Sequence, residues 1–221
     1  IEILFEAIKN YDAGRQQIYI SFLADPKFVL EAISSASGAL EYADKSLRND
    51  PGFIQNALTI NGLALEYTDE SVRADPALVL LAVNNNGLAF KYANEHLRSD
   101  KEFVLLAVKE SGLALEFASP SLQADREIVI QAVKAAGRVL YYAHPSLRAD
   151  REIVLEAIKD SGLALYYADP SLRAVREIIL EAVKSYGWGL FYASSNLQAD
   201  REVVLQAVRN DGRAFYYADP S

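Results

Sequence analysis

Residues 150–174 read DREIVLEAIKDSGLALYYADPSLRA, and the same 25-residue phrase returns along the whole chain. Asp25, Asp50, Asp75, Asp100, Asp125, Asp150 and Asp200 stand at multiples of 25, with Val175 the one exception, and no insertion disturbs the register between Asp25 and Asp200. A fixed period of this length is the signature of a repeat architecture, in which each unit is one supersecondary element. The unit divides by its chemistry. Asp150 stands where a helix N-cap belongs, its carboxylate able to accept from the open N–H groups of the first turn. Pro26, Pro51 and Pro76 follow their Asp directly, at the first helical position, which tolerates proline. Ile153, Val154, Ala157 and Ile158 then fall on one helical face, widened by Leu155. Gly162 and its equivalents Gly62, Gly87, Gly112, Gly137, Gly187 and Gly212 come next, where a left-handed helix end is expected. A first helix of about 11 residues follows from this spacing.

The apolar segment Leu163 to Ala168 is too short to be a stable helix alone, and it closes on Asp169-Pro170-Ser171, after which Leu172 returns to the core. The unit is therefore a long helix, a glycine turn, a short helix of α or 3₁₀ type, and a proline turn. No single unit can cover its own apolar face, so neighbours must stack. The fold class expected is all-α, an elongated α-solenoid of ~25-residue repeats. One array spans 1–221: an atypical first repeat at 1–24, seven regular repeats at 25–199, and an incomplete last repeat at 200–221. In the first repeat Gly14 falls late and Arg15 and Gln17 replace apolar residues, as in a cap with a wet outer face. Residue 1 is not Met and Ser221 stops in mid-repeat, which leads us to expect a longer parent chain.

Composition narrows the function. With 22 basic and 30 acidic residues the net charge is −8, which argues against phosphate-backbone binding by clustered Lys and Arg. The chain has no Cys, hence no thiolate chemistry and no disulfide frame. No apolar run is long enough to span a membrane. Ile1 to Lys9 lacks a basic start followed by an apolar stretch, so no signal peptide is read there, and no compartment is assigned.

The phrase D-x-E-x-V-L-x-A-V, then Gly, then A-L-x-Y-A, then S-L-R-x-D, resembles the tandem repeat family catalogued as domain of unknown function 4116. It matches at Asp100–Val108, Asp125–Val133 and Asp200–Val208, and more loosely from Asp25 onward. The resemblance implies the helical-repeat fold and carries no catalytic residue to this chain.

Several columns of the repeat invite a functional reading. The Asp column is explained by helix capping, because successive members lie one repeat apart, too far to share an ion at ~2.4 Å. Arg48, Arg73, Arg98, Arg148 and Arg173, interrupted by Gln123 and Gln198, are expected to form a surface ion-pair ladder to the next repeat. Tyr42, Tyr67, Tyr92, Phe117, Tyr142, Tyr167, Tyr192 and Tyr217 are expected to pack between layers. His96 and His144, the only histidines, sit in polar turns. With no nucleophile constellation, phosphate loop or metal spacing, neither an enzyme nor a cofactor or metal site is expected.

The position just before that aromatic column is more informative. It reads Glu41, Glu66, Lys91 and Glu116, then Tyr141, Tyr166, Phe191 and Tyr216. Charged residues in four units mark it as wet, because unpaired Glu and Lys are almost never buried. Equivalent backbone should then leave the four rings exposed as a stripe. Trp188, the single tryptophan, lies one turn before Phe191, and Arg138 and Arg213 take its place in other units. Exposed aromatics with Arg are the composition of an interface centre. The candidate partner-binding residues are thus Tyr141, Tyr166, Trp188, Phe191, Tyr216, Arg138 and Arg213. The expected role is a non-catalytic scaffold or adaptor for other proteins, within a larger assembly or multidomain protein. Self-association into a filament or bundle is an alternative from another class. Single-stranded nucleic-acid binding is a third, against which the charge argues.

Overall fold

Asp150 shows how each long helix starts. Its Oδ1 accepts from the backbone N–H of Glu152 at 2.9 Å and of Ile153 at 3.1 Å, while its own backbone is extended. Asp25, Asp50, Asp75, Asp100, Asp125 and Asp200 cap their helices in the same way. Val175 has no oxygen to offer, and the helix after it starts without a side-chain cap. Ten residues of helix follow each cap, and Ile153, Val154, Ala157 and Ile158 reach full burial on its inner face.

The computed structural model describes residues 20–219. The expected cap-like departures at Ile3–Lys9, Gly14, Arg15 and Gln17 lie outside the described residues. Among those described every regular element is helical, and no helix is long and apolar enough to cross a membrane. The fold is an all-α helical-repeat solenoid. Its contacts divide the chain into two units, Ile1–Arg98 and Ser99–Ser221. In the first, long helices Pro26–Ser35, Pro51–Ile60 and Pro76–Asn85 alternate with 3₁₀ segments Ser37–Tyr42, Gly62–Tyr67 and Gly87–Tyr92. In the second, the long helices are Lys101–Glu110, Arg126–Ala135, Arg151–Asp160, Arg176–Ser185 and Arg201–Asn210. Their 3₁₀ segments are Gly112–Phe117, Gly137–Tyr142, Gly162–Tyr166, Gly187–Tyr192 and Gly212–Tyr217. The proline turn expected after each segment is itself a single helical turn, such as Pro145–Arg148.

Within each unit, long helices pack on successive long helices and 3₁₀ segments on successive 3₁₀ segments, giving two layers. The apolar residues between them, such as Leu140, Ala164 and Leu165, are fully buried. Leu172 returns to the core at 8 % exposure, as its place after the proline turn implies. A backbone hydrogen bond also ties several repeats to the one before, as from His144 N–H to the Gln123 carbonyl at 2.9 Å and Asp169 N–H to the Arg148 carbonyl at 2.9 Å.

Two expectations are corrected here. No described residue, glycine included, has a positive φ, so the column at Gly137 does not serve a left-handed helix end. The helix closes instead through an extended residue, Ala136 at φ −159°. Glycine is needed because the next repeat comes too close: a Cβ on Gly137 would sit 2.1 Å from the Ala157 carbonyl oxygen. The Gly137 N–H meanwhile donates to Asp160 Oδ2 at 2.7 Å, so the same contact that forbids a side chain satisfies the backbone.

The second correction concerns charge. The Arg column does not make the ion-pair ladder. Arg48 Nε donates to the Ala43 carbonyl at 3.1 Å, and Gln123 Nε2 to the Leu115 and Glu116 carbonyls at 3.1 and 2.9 Å. These side chains turn back into their own repeat and satisfy carbonyls at the end of its 3₁₀ segment, which an amide does as well as a guanidinium. The ladder runs, in the second unit, through the residue one place into each long helix, Lys101, Arg126, Arg151 and Arg176. Lys101 pairs with Asp125 and Glu127 at 2.8 and 3.0 Å, Arg126 with Asp150 and Glu152, and Arg176 with Asp200 and Glu202. Arg151 pairs with Glu177 alone, because Val175 stands where its second partner would be. Each such pair is solvent-exposed and contributes less than about 1 kcal/mol.

Three substitutions test these contacts. Gly137→Ala should cost about 2–3 kcal/mol in urea unfolding, the scale of forcing a methyl into filled space. Gly212→Ala, whose Cβ meets nothing within 4 Å, should stay within about 0.5 kcal/mol of the parent. Val175→Asp should stabilise by about 1 kcal/mol, the usual contribution of an N-cap, seen as a higher unfolding midpoint.

Candidate aromatic interface

Each 3₁₀ segment leads into two adjacent residues that face outward, and the last four repeats of the second unit fill both positions with rings. Tyr141, Tyr166 and Phe191 are 58, 52 and 54 % exposed, and Tyr216 is 88 % exposed. Their neighbours Tyr142, Tyr167, Tyr192 and Tyr217 are half-buried rather than packed away between layers, so that column belongs to the surface too. The reason is the shortness of the 3₁₀ segment: Leu140 takes the inward position and the two residues after it are carried around to the rim.

The rings form one continuous zigzag. Tyr142 meets Tyr141 edge-on at 5.2 Å between centroids, Tyr141 meets Tyr167 of the next repeat at 5.3 Å, and Tyr167 meets Tyr166 at 5.1 Å. Tyr166 then reaches Tyr192 at 5.5 Å, Tyr192 meets Phe191 at 5.0 Å, and Phe191 reaches Tyr217 at 5.1 Å. Tyr217 closes on Tyr216 at 5.4 Å and on Trp188 at 5.4 Å. Edge-to-face pairs at these separations add about 0.5–1.5 kcal/mol each beyond the area they bury. The ridge is therefore held in shape before anything binds it.

The contact rule is the same where the ring is absent. Glu66 and Glu116 act on the Tyr of the following repeat as Tyr141, Tyr166 and Phe191 do. In the first unit burial, and after it the Glu66 carboxylate, pushes the Tyr92 hydroxyl above its ordinary range, and the same carboxylate acts on Tyr67 of its own repeat. In the second unit Glu116 does the same for Tyr142, whose pKa is raised by burial and then by Glu116. A glutamate thus engages the next tyrosine's hydroxyl, whereas a tyrosine at the same place engages its ring. That exchange is what lets the ridge begin at Tyr142 without a change of backbone.

Trp188 and Arg213 act as one cluster. The Trp188 indole Nε1 donates to Asp211 Oδ2 at 2.8 Å, and Arg213 grips the same carboxylate at 2.8 and 3.1 Å while its guanidinium lies 5.5 Å above the indole ring. The Arg213 hydrogen bond, followed by that of Trp188, holds the Asp211 carboxyl far below the usual carboxylate range. Trp188 is in consequence half-buried and anchored, and Arg213 is partly spent on Asp211. Arg138 is exposed beside the start of the ridge. Sequence reasoning assigned Arg148 and Arg173 to the ion-pair ladder rather than to this surface. They line a groove of about 400 Å³ with Tyr141, Tyr166 and Tyr167, and Arg173 also lies 5.7 Å over the Tyr192 ring. Their fixed spacing from each Tyr was visible, but the direction of the side chains was not.

The family model described as a domain of unknown function (DUF4116) matches residues 25–73, 75–123, 125–173 and 176–221, each match taking in about two of the 25-residue repeats. The chain belongs to this family. No curated protein and no solved structure matches it.

The single tryptophan makes the anchored cluster measurable. Asp211→Ala should red-shift Trp188 emission and raise its acrylamide quenching about twofold or more, with far-UV circular dichroism unchanged. In the parent chain the emission should stay flat from pH 7 to pH 3. A carboxyl held below its ordinary 3.8 keeps its hydrogen bonds until the pH falls well beneath that value.

Proposed function

We propose that this member of the DUF4116 family is a non-catalytic repeat scaffold or adaptor that holds other proteins through the aromatic ridge of its second unit. The observation that carries the reading is the change at one fixed outward position, from Glu41, Glu66, Lys91 and Glu116 to Tyr141, Tyr166, Phe191 and Tyr216, with each of these rings more than half exposed. The repeat itself does not require the rings, because a glutamate serves the same backbone and engages the same neighbouring tyrosine. Large, preorganised aromatics that folding does not need, bordered by guanidinium groups, have the composition and rigidity of binding hot spots. No residue is assigned a chemical step. His144 spends its ring nitrogen on Ser146 at 2.8 Å in a turn, the role a capping Asp or Asn plays in other repeats.

The test uses the repeat's own alternative residue. The chain with Tyr141, Tyr166, Phe191 and Tyr216 all replaced by Glu should keep its circular dichroism spectrum. In affinity capture from an extract of the source cells it should lose the proteins that the parent chain retains, by about tenfold or more. Equal recovery by both chains would overturn the reading, and light scattering that shows a parent multimer abolished by the same substitutions would reassign the ridge to self-association.

A further inference from the structure

We propose that the ridge takes an extended, proline-rich polypeptide segment bearing acidic side chains, seated one polyproline turn per repeat; this rests on the protein-binding reading above and names the class of partner. Spacing is the first argument. Tyr141 reaches Tyr167 at 5.3 Å and Tyr167 reaches Tyr166 at 5.1 Å, so Tyr141 and Tyr166 stand no more than about 10 Å apart. A polyproline helix returns the same face every three residues, about 9.3 Å along its axis, which falls within that limit and allows one turn against each exposed ring. The ridge from Tyr141 to Tyr216 therefore accommodates about 12 residues.

Hydrogen bonding is the second argument. A polyproline helix has no internal hydrogen bonds, so its carbonyls seek outside donors, and aromatic-lined grooves that supply them are the known manner of its recognition. An α-helix satisfies its own backbone and would leave such donors idle. The groove between Tyr141 and Tyr166 is lined by Arg148, Arg173, Tyr167 and Asp169, and Arg173 gives one of its N–H groups to the Tyr166 carbonyl at 3.3 Å. Its walls also carry Pro145 and Pro170, which bring apolar surface and no N–H.

Charge complementarity is the third. The chain carries −8 overall, yet the charged residues that line the groove between Tyr141 and Tyr166 are two arginines and one aspartate. Asp211 is paired with Arg213, while Asp169 accepts from Ser171 at 2.6 and 2.9 Å and keeps its charge beside Arg148 and Arg173. Arg138, Arg148 and Arg173 form no salt bridge among the described residues. The groove itself carries Arg148 and Arg173 against the single carboxylate of Asp169, so its net sign is positive, which selects acidic over basic ligands and steers their approach.

Fluorescence anisotropy of the full chain with three labelled 12-residue probes tests this: (Pro-Pro-Glu)₄, (Pro-Pro-Lys)₄ and an acidic amphipathic helical peptide. (Pro-Pro-Glu)₄ should bind at least tenfold more tightly than either of the others. Tyr166→Glu, a residue other repeats carry at that position, should weaken it about tenfold with the circular dichroism spectrum unchanged. The double change Arg138→Gln, Arg148→Gln should bring the two proline peptides to within about threefold of each other. Equal affinity of the two proline peptides for the parent chain, tighter binding of the helical peptide, or no saturable binding of (Pro-Pro-Glu)₄ would each overturn the proposal. If that happens while the four-glutamate chain still loses its captured proteins, the ridge remains an interface for another class of partner; if that capture is unchanged as well, both readings fall.

Discussion

The closeness of one repeat to the next governs the rest of the structure. At Gly137 the Ala157 carbonyl approaches so nearly that a Cβ would overlap it, while Asp160 takes up the glycine N–H. That approach sets how far each 3₁₀ segment can slide on its successor within a unit. Ring-to-ring separations of 5.0–5.5 Å along the ridge depend on it. A repeat fold of this kind is stable through nearest-neighbour terms, so its surface pattern is only as regular as the contact between neighbours. Where the contact is the same in each repeat, a side chain at one outward position meets the same environment in the next.

Regularity of that sort separates two kinds of residue. Those that serve the stack, such as the capping Asp, the glycine and the buried Leu140 and Leu165, recur because their environment recurs. Those that the stack leaves free can change, and the change from Glu to Tyr at the outward position is of that kind. Glu116 and Tyr141 abut the next tyrosine in equivalent ways, one through its hydroxyl and one through its ring. The ridge therefore adds little that folding needs, and its physical consequence is exposed, rigid aromatic area on the second unit.

Much of this architecture was legible in the sequence. The 25-residue period, the capping Asp, the buried quartet at Ile153, Val154, Ala157 and Ile158, and the wet position before each Tyr all follow from periodicity, because a repeated residue implies a repeated environment. Trp188 was placed beside Phe191 on its segment, but its bond to Asp211 links residues 23 apart and depends on the stacking of two repeats. The groove formed by Arg148 and Arg173 escaped notice for a similar reason, since a guanidinium can turn either way from its backbone.

The amino-acid sequence alone determined the all-α repeat, its register, and which outward position carries rings in four successive repeats, since each is a matter of residue type and spacing. Three matters were decided only in the tertiary structure: why the glycine is there, which basic column pairs with the acids, and whether the second tyrosine column is core or surface. Each depends on the distance and direction between neighbouring repeats. The helical period says which way a residue faces within its own element, and it leaves open how near the next repeat will come.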